Sequence, residues 1–184
     1  MRLFVALPLP AETGAELANW MKSCGPQSAL RWTLEEQLHI TLHFLSEVEE
    51  VRLGLVTAAL DGLHLHQFNV EFERVEVLGR AGILAAAAKL TPQLAALEIE
   101  VRSRVAALGE RRAADHEFHP HITLARARRG AAVPKPRSLL PLPELRFTAN
   151  CFRLYRSELR QKGAVHTVIR EWQLQRHGID TSQS

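Results

Sequence analysis

Two copies of one tetrapeptide carry the chemistry in this chain. His39-Ile40-Thr41-Leu42 recurs 82 residues later as His121-Ile122-Thr123-Leu124. Side chains on a strand alternate between faces, so His and Thr at i and i+2 point the same way while Ile and Leu point into a core. Each copy thus presents an imidazole beside a hydroxyl on a dry apolar backing. Two such strands related by a pseudo-twofold face each other across a gap suited to a phosphodiester. One neutral imidazole takes a proton from the attacking hydroxyl or water, and the other, protonated, gives one to the departing ribose oxygen. The two threonine hydroxyls donate to the non-bridging oxygens and hold the developing charge. This scheme needs no metal and no cofactor.

The bland reading of a lone His-x-Thr is a hydrogen-bonded structural pair, and the duplication is what speaks against it. A second reading makes the two histidines zinc ligands, with His43, His116 or His119 as a third, although no acidic or Cys ligand accompanies either motif. His43 follows Thr41 by two, so an unbroken strand gives it the face of His39, at the cleft mouth or exposed at the strand end. Arg126 lies three after Thr123 and on an ideal strand faces away from it, unless a twist or the strand end swings it toward phosphate. Phe118 either stacks a base at the cleft rim or packs in the core.

The elements that must position these groups follow from periodicity. Apolar or alternating runs predict strands at Arg2–Pro8, Leu38–Leu45, Phe68–Leu78, Ile83–Lys89, His119–Ala127, Leu145–Tyr155 and Ala164–Leu174. Helical spacing predicts helices over Ala11–Cys24, Glu49–Leu60 (Val51, Leu55 and Ala58 or Ala59 inward) and Pro92–Leu108 (Leu94, Leu97, Val101 and Val105 inward). Turns fall at Gly25-Pro26, Gly79–Gly82 and Gln161–Gly163, and a long exposed connection at Arg128–Pro143. Meander pieces mixed with crossovers give an α+β class with mainly antiparallel sheets. The expected unit is one domain over 1–180 with a frayed tail at 181–184.

At 184 residues, 46% hydrophobic and 23% charged, the composition is that of a globular domain rather than a collagen-like or disordered chain. No apolar run approaches the roughly 20 residues of a membrane span. The start reads as a strand rather than a signal peptide, and two cysteines, Cys24 and Cys151, make no disulfide framework, so a reducing cytoplasm is expected. Dinucleotide, P-loop, serine-hydrolase and zinc-protease motifs are absent. The net charge of +3 conceals −6 over residues 1–101, +6 over 102–137 and +3 over 138–184, with 19 Arg against 4 Lys. Arg grips phosphate bidentately and stacks on bases, which points to a phosphate-bearing partner, against the plain alternative of a solvated surface.

The chain resembles the two-histidine phosphoesterases, specifically the RNA 2′,3′-cyclic phosphodiesterases also called 2′-5′ RNA ligases. The resemblance runs over nearly the whole chain: Arg2-Leu3-Phe4-Val5-Ala6-Leu7, Arg31-Trp32 leading into His39–Leu45, Phe118-His119-Pro120-His121 through Arg126, and Leu154-Tyr155-Arg156-Ser157 with Trp172-Gln173-Leu174. It departs at Ser46, where the family usually has Gly, and around Ile83-Leu84-Ala85, where the family often has Trp. The resemblance implies two pseudo-symmetric lobes with outer helices flanking a V-shaped cleft. It implies metal-free hydrolysis of an RNA 2′,3′-cyclic phosphate end, such as that of a tRNA fragment, to a 2′-phosphate, and the reverse joining of RNA ends through a 2′-5′ bond. His39 carries over as proton donor, His121 as proton acceptor, Thr41 and Thr123 as phosphate ligands, and Arg126 as a position of the family pattern. A monomer is expected. A small cyclic nucleotide substrate and a non-catalytic RNA-binding module remain alternatives, the latter marked by salt-sensitive RNA binding without product.

Overall fold

The computed structural model describes residues 1–25, 28–79, 82–109, 117–160 and 163–176. The turns expected at Gly25-Pro26, Gly79–Gly82 and Gln161–Gly163 fall partly outside these residues, as do His116, His177 and the 181–184 tail entirely. The described residues form strands β1 (Arg2–Pro8), β2 (Leu30–Trp32), β3 (His39–Glu47), β4 (Phe68–Leu78), β5 (Ile83–Ala88), β6 (His121–Ala127), β7 (Arg146–Ala149), β8 (Cys151–Arg160) and β9 (Gly163–Gln173). Helices α1 (Ala11–Ser23), α2 (Leu53–Asp61) and α3 (Pro92–Ala106) join them.

The strand order is β7-β4-β5-β6-β3-β1-β8-β9, with β2 added beside β6, and every ladder is antiparallel. This is the α+β, mainly antiparallel architecture expected. The two halves, β3-β1-β8-β9 and β6-β5-β4-β7, meet through a single paired position, Ile40 opposite Ile122. Both isoleucines are fully buried. Beyond that pair the central strands part, and β2 takes the place beside Ala125, Arg126 and Ala127 that β3 vacates.

The helices sit where their apolar stripes demand. In α3, Leu94, Leu97, Val101 and Val105 are all at 0% exposure, and Thr91 caps the helix by accepting from the Leu94 amide at 3.3 Å, with Pro92 in the first turn. Burying each of those side chains contributes about 1.5–3 kcal/mol. The α2 region differs from expectation. Residues Glu50–Arg52 form a 3-10 turn and the α-helix starts at Leu53. The phase change leaves Val51 and Leu55 exposed, and Val56 and Leu60 face the core instead. Arg104 of α3 donates to the carbonyls of Ala59 (3.0 Å) and Gly62 (2.8 Å), satisfying the end of α2.

The segment read as one strand over Leu145–Tyr155 is two, interrupted at Asn150. β7 pairs with β4 and β8 pairs with β1, so the chain crosses from one lobe to the other at that residue. Asp61 at the end of α2 accepts from Trp172 Nε1 (2.8 Å) and pairs with Arg170 (2.7 Å), tying β9 to the helical layer.

Candidate active site

The register at Ile40/Ile122 fixes the geometry of the two motifs. In an antiparallel pair with those residues opposed, His39 falls across from Thr123 and Thr41 across from His121, all on the face turned away from the isoleucines. The imidazoles then occupy one diagonal of a four-cornered site and the hydroxyls the other. Same-face diagonals in such a pair lie roughly 7–8 Å apart, a span that one phosphate fills.

Each motif is followed by the same irregularity. Ala6 opposes Thr41 while Val5 opposes His43, so Leu42 is an extra residue in β3. Ala85 opposes Thr123 while Leu84 opposes Ala125, so Leu124 is an extra residue in β6. A bulge of one residue reverses the facing of everything after it. Two expectations change as a result. His43 turns into the core beside Val5 and is 1% exposed, rather than sharing the face of His39. Arg126, three residues past Thr123, is carried onto the cleft face, where an ideal strand would have hidden it. Its equivalent in the first motif is Phe44, which contacts Phe4 at 5.8 Å on that same face.

Both imidazoles are held alike. His39 Nδ1 lies 2.7 Å from the Gln37 carbonyl, and His121 Nδ1 lies 2.8 Å from the His119 carbonyl. A carbonyl can only accept, so Nδ1 carries the hydrogen in each ring and Nε2 is left to exchange a proton. Gln37 is itself anchored by its side chain to the Ala164 carbonyl of β9 at 2.5 Å.

A model of the 2′-5′ RNA ligase superfamily matches residues 9–161. The chain belongs to that superfamily. The RNA 2′,3′-cyclic phosphodiesterase of Thermus thermophilus is 33% identical, with the alignment covering 100% of this chain and 96% of that protein. The Archaeoglobus fulgidus protein of the same name is 29% identical over 92% and 98%. Among solved structures, Escherichia coli LigT complexed with 3′-AMP superposes with a TM-score of 0.81 at 27% identity, covering 94% of this chain and 97% of LigT.

This superfamily member surrounds its two imidazoles differently. His39 lies in a ring cluster: Phe4 at 4.9 Å and Tyr155 at 6.0 Å, the two stacked on each other at 5.0 Å, with His166 edge-on to His39 at 5.4 Å. Burial in that aromatic surround pushes His39 down to about 4, helped by the positive charge that His166 and His121 would carry. His121 is also lowered, first by burial, but Glu76 opposes the trend. Glu76 accepts a hydrogen bond from Nε2 of His119, whose ring lies 6.0 Å from that of His121. Arg126 lies below its usual range because it is partly desolvated and stands beside Arg31.

Of the residues singled out from sequence, His39, Thr41, His121, Thr123 and Arg126 share the cleft face. Phe118 does not: it is half-buried against the core and lines a hollow of about 310 Å³ with Arg74 and His119. Among the described residues no three His, Cys, Asp or Glu side chains group to hold a metal ion. A larger hollow, about 750 Å³ between α1 and β2, is bordered by Met21, Trp32 and Leu34 and touches neither motif. Sequence reasoning missed Phe4, Tyr155, His166 and Arg31. Phe4 hides in a strand apolar on both faces, and His166 in the alternation of the closing hairpin. Arg31 was read only as part of the approach to His39.

Proposed function

We propose that this protein hydrolyses RNA 2′,3′-cyclic phosphate ends to 2′-phosphates without a metal, with His39 as proton donor and His121 as proton acceptor. The observation that carries the reading is the register that sets two His-Thr pairs on one face across one strand pair. Nε2 of His121 takes a proton from water as its oxygen attacks phosphorus. The bond from phosphorus to O3′ breaks, and O3′ takes the proton from Nε2 of His39. Thr41 and Thr123 donate to the non-bridging oxygens, and each Nδ1–H stays on its carbonyl throughout. Arg126, on the same face, contacts the substrate, whereas Phe118 packs against the core. With a 5′-hydroxyl in place of water the same steps join two RNA ends through a 2′-5′ bond. The protein works as a cytoplasmic monomer over residues 1–180.

A donor with a free-state value near 4 is mostly neutral at pH 7. The anionic substrate corrects this. A unit charge about 4 Å from the ring at an effective dielectric near 20 favours the imidazolium by about 4 kcal/mol, roughly a thousandfold. The same depressed value favours a second reading, in which His39 is the acceptor and His121, on the side of Glu76, the donor. His39→Ala and His121→Ala separate the two. Each should abolish hydrolysis of a cyclic-phosphate oligonucleotide, and undiminished turnover in either variant would refute the site. On a p-nitrophenyl phosphodiester, whose leaving group departs unprotonated, only the variant lacking the donor should keep activity. Product analysis without added metal should show a 2′-phosphate.

A further inference from the structure

Each motif imidazole hangs from a carbonyl two residues earlier, and the residue that owns that carbonyl is tied down by its own side chain. In the first motif Gln37 ends a 3-10 turn (Glu35–Gln37), and its Nε2 donates to the Ala164 carbonyl of β9. In the second, His119 precedes β6 outside any regular element, and its Nε2 donates to the Glu76 carboxylate of β4. Each tie runs from the head of a motif strand to a strand two or three places out in the same lobe. The peptides that carry the two carbonyls are held unequally. The Gln37–Leu38 peptide is also fixed by the Leu38 amide, which donates to the Glu35 carbonyl at 3.1 Å. The His119–Pro120 peptide has no amide hydrogen to give. The nearest ladder bond, from the Ala88 amide to the Pro120 carbonyl at 2.9 Å, lies beyond it. Glu76 is well placed for the tie. It stands opposite Ala85, which stands opposite Thr123, and Arg74 holds its other oxygen at 3.0 Å.

We propose that Glu76 and His119 are positioning residues for His121: the carboxylate holds the His119 ring, the ring holds the His119–Pro120 peptide, and its carbonyl keeps the hydrogen of His121 on Nδ1. This rests on the proposed function and adds two residues to its machinery. A reacting side chain keeps its geometry only when its own hydrogen-bond partner is held. The first motif holds that partner twice, and the second holds it through one side chain. The His121 side therefore depends on Glu76 and His119 more than the His39 side depends on Gln37. Glu76 also acts on His121 through space, favouring its imidazolium, whereas the charges of His119 and Arg126 oppose it. Arg74 and Glu73 flank Glu76 on β4, Glu117 borders the same hollow as His119, and His39 faces His121 from β3.

The test reads His121 with and without turnover, on the full chain. Nitrogen-15 NMR of the neutral imidazoles reports which ring nitrogen carries the hydrogen. His121 should be in the Nδ1–H form in the native protein, and His119→Ala should leave a mixture of the two forms at His121 but not at His39. On a cyclic-phosphate oligonucleotide, His119→Ala and Glu76→Ala should each lower kcat roughly tenfold with KM within about twofold. The double variant should be no slower than either, because both break one tie. His119→Gln, which places the amide of the first motif here, should recover most of the loss, and Gln37→Ala should cost less than His119→Ala. Glu76→Gln removes the charge, so the limb of the kcat/KM profile that belongs to His121 should move to lower pH while the other limb stays. A pure Nδ1–H form at His121 in His119→Ala would overturn the assignment. So would losses that multiply in the double variant, or a loss that His119→Gln does not recover. A mixture of forms at His121 in a protein that hydrolyses nothing leaves the tie standing and removes the proposed reaction; hydrolysis with an unchanged form does the reverse.

Discussion

The depressed basicity of His39 makes a quantitative demand on stability. An imidazole that titrates at 6.5 when exposed and at about 4 in the folded protein binds its proton more readily in the unfolded chain. The sign follows: between pH 6.5 and pH 4 the unfolded state is protonated at this site and the native state is not, so stability falls with falling pH across that window. At 1.36 kcal/mol per pH unit the loss is about 3 kcal/mol, complete below pH 4 and absent above pH 7. His39→Phe keeps a flat ring against Phe4 and removes the titration. It also removes the hydrogen bond to the Gln37 carbonyl, a cost that does not vary with pH. Urea unfolding of both proteins between pH 7 and pH 4, followed by the fluorescence of Trp20, Trp32 and Trp172, gives the two stabilities. Their difference should move by about 3 kcal/mol in favour of the variant as pH falls. His121, His166 and the carboxylates titrate in both proteins and largely cancel. Parallel pH curves within about 1 kcal/mol, or an NMR titration placing His39 near 6.5, would show that the aromatic surround does not exclude water as argued.

Other expectations follow from single positions. Thr41→Val and Thr123→Val keep side-chain shape and remove one donor each, so kcat/KM on a cyclic-phosphate oligonucleotide should fall roughly 10- to 100-fold in each with the fold unchanged by circular dichroism. Gly82 has φ +64°, its carbonyl accepts from the Ala127 amide at 2.8 Å, and a Cβ there would stand 2.8 Å from Cβ of Ala127. Gly82→Ala should therefore destabilise by about 1–3 kcal/mol in urea unfolding and loosen the end of β6 that carries Arg126.

The strands that carry the motifs were legible because their composition is strongly β-forming and their turns are punctuated by Gly and Pro. The bulges were not. Leu42-His43 and Leu124-Ala125 are consecutive core-facing pairs, yet nothing in either pair distinguishes a bulge from an ordinary strand whose two faces are both apolar. This one omission misplaced both His43 and Arg126. Three-residue β2 is too short for periodicity to register, so Arg31 had no strand to stand on. The break at Asn150 lacks a Gly or Pro, and only the choice of partner strand, a long-range property, reveals it. In α2 the misassigned face came from reading a 3-10 turn as helix, since three residues per turn shift the stripe that follows.

The two motifs are related by a pseudo-twofold, and the proposed division of acid and base roles between the two imidazoles requires that symmetry to be broken. Two interacting rings in identical surroundings would lose their protons in two steps that belong to the pair, and the singly protonated state would be shared equally between them. The register sets equivalent positions against each other, and there the lobes diverge. Phe44 corresponds to Arg126, Phe4 to Ile83, and Arg153 to Glu76, each pair occupying the same place relative to its own threonine. The first lobe therefore walls its histidine with aromatic rings. The second places Arg126 and Glu76 near its histidine, and the main core need not change for this to happen, because these side chains leave the sheet on the cleft side, where Phe4 is buried only in a small cluster with Ala6 and Tyr155. Separating the two proton affinities is thus the task of the wall residues, while the HisxThr repeat supplies only the positions. Exchanging the walls by substitution at those three paired places should exchange which histidine is the more basic, which ring-proton NMR titration of the two would read directly.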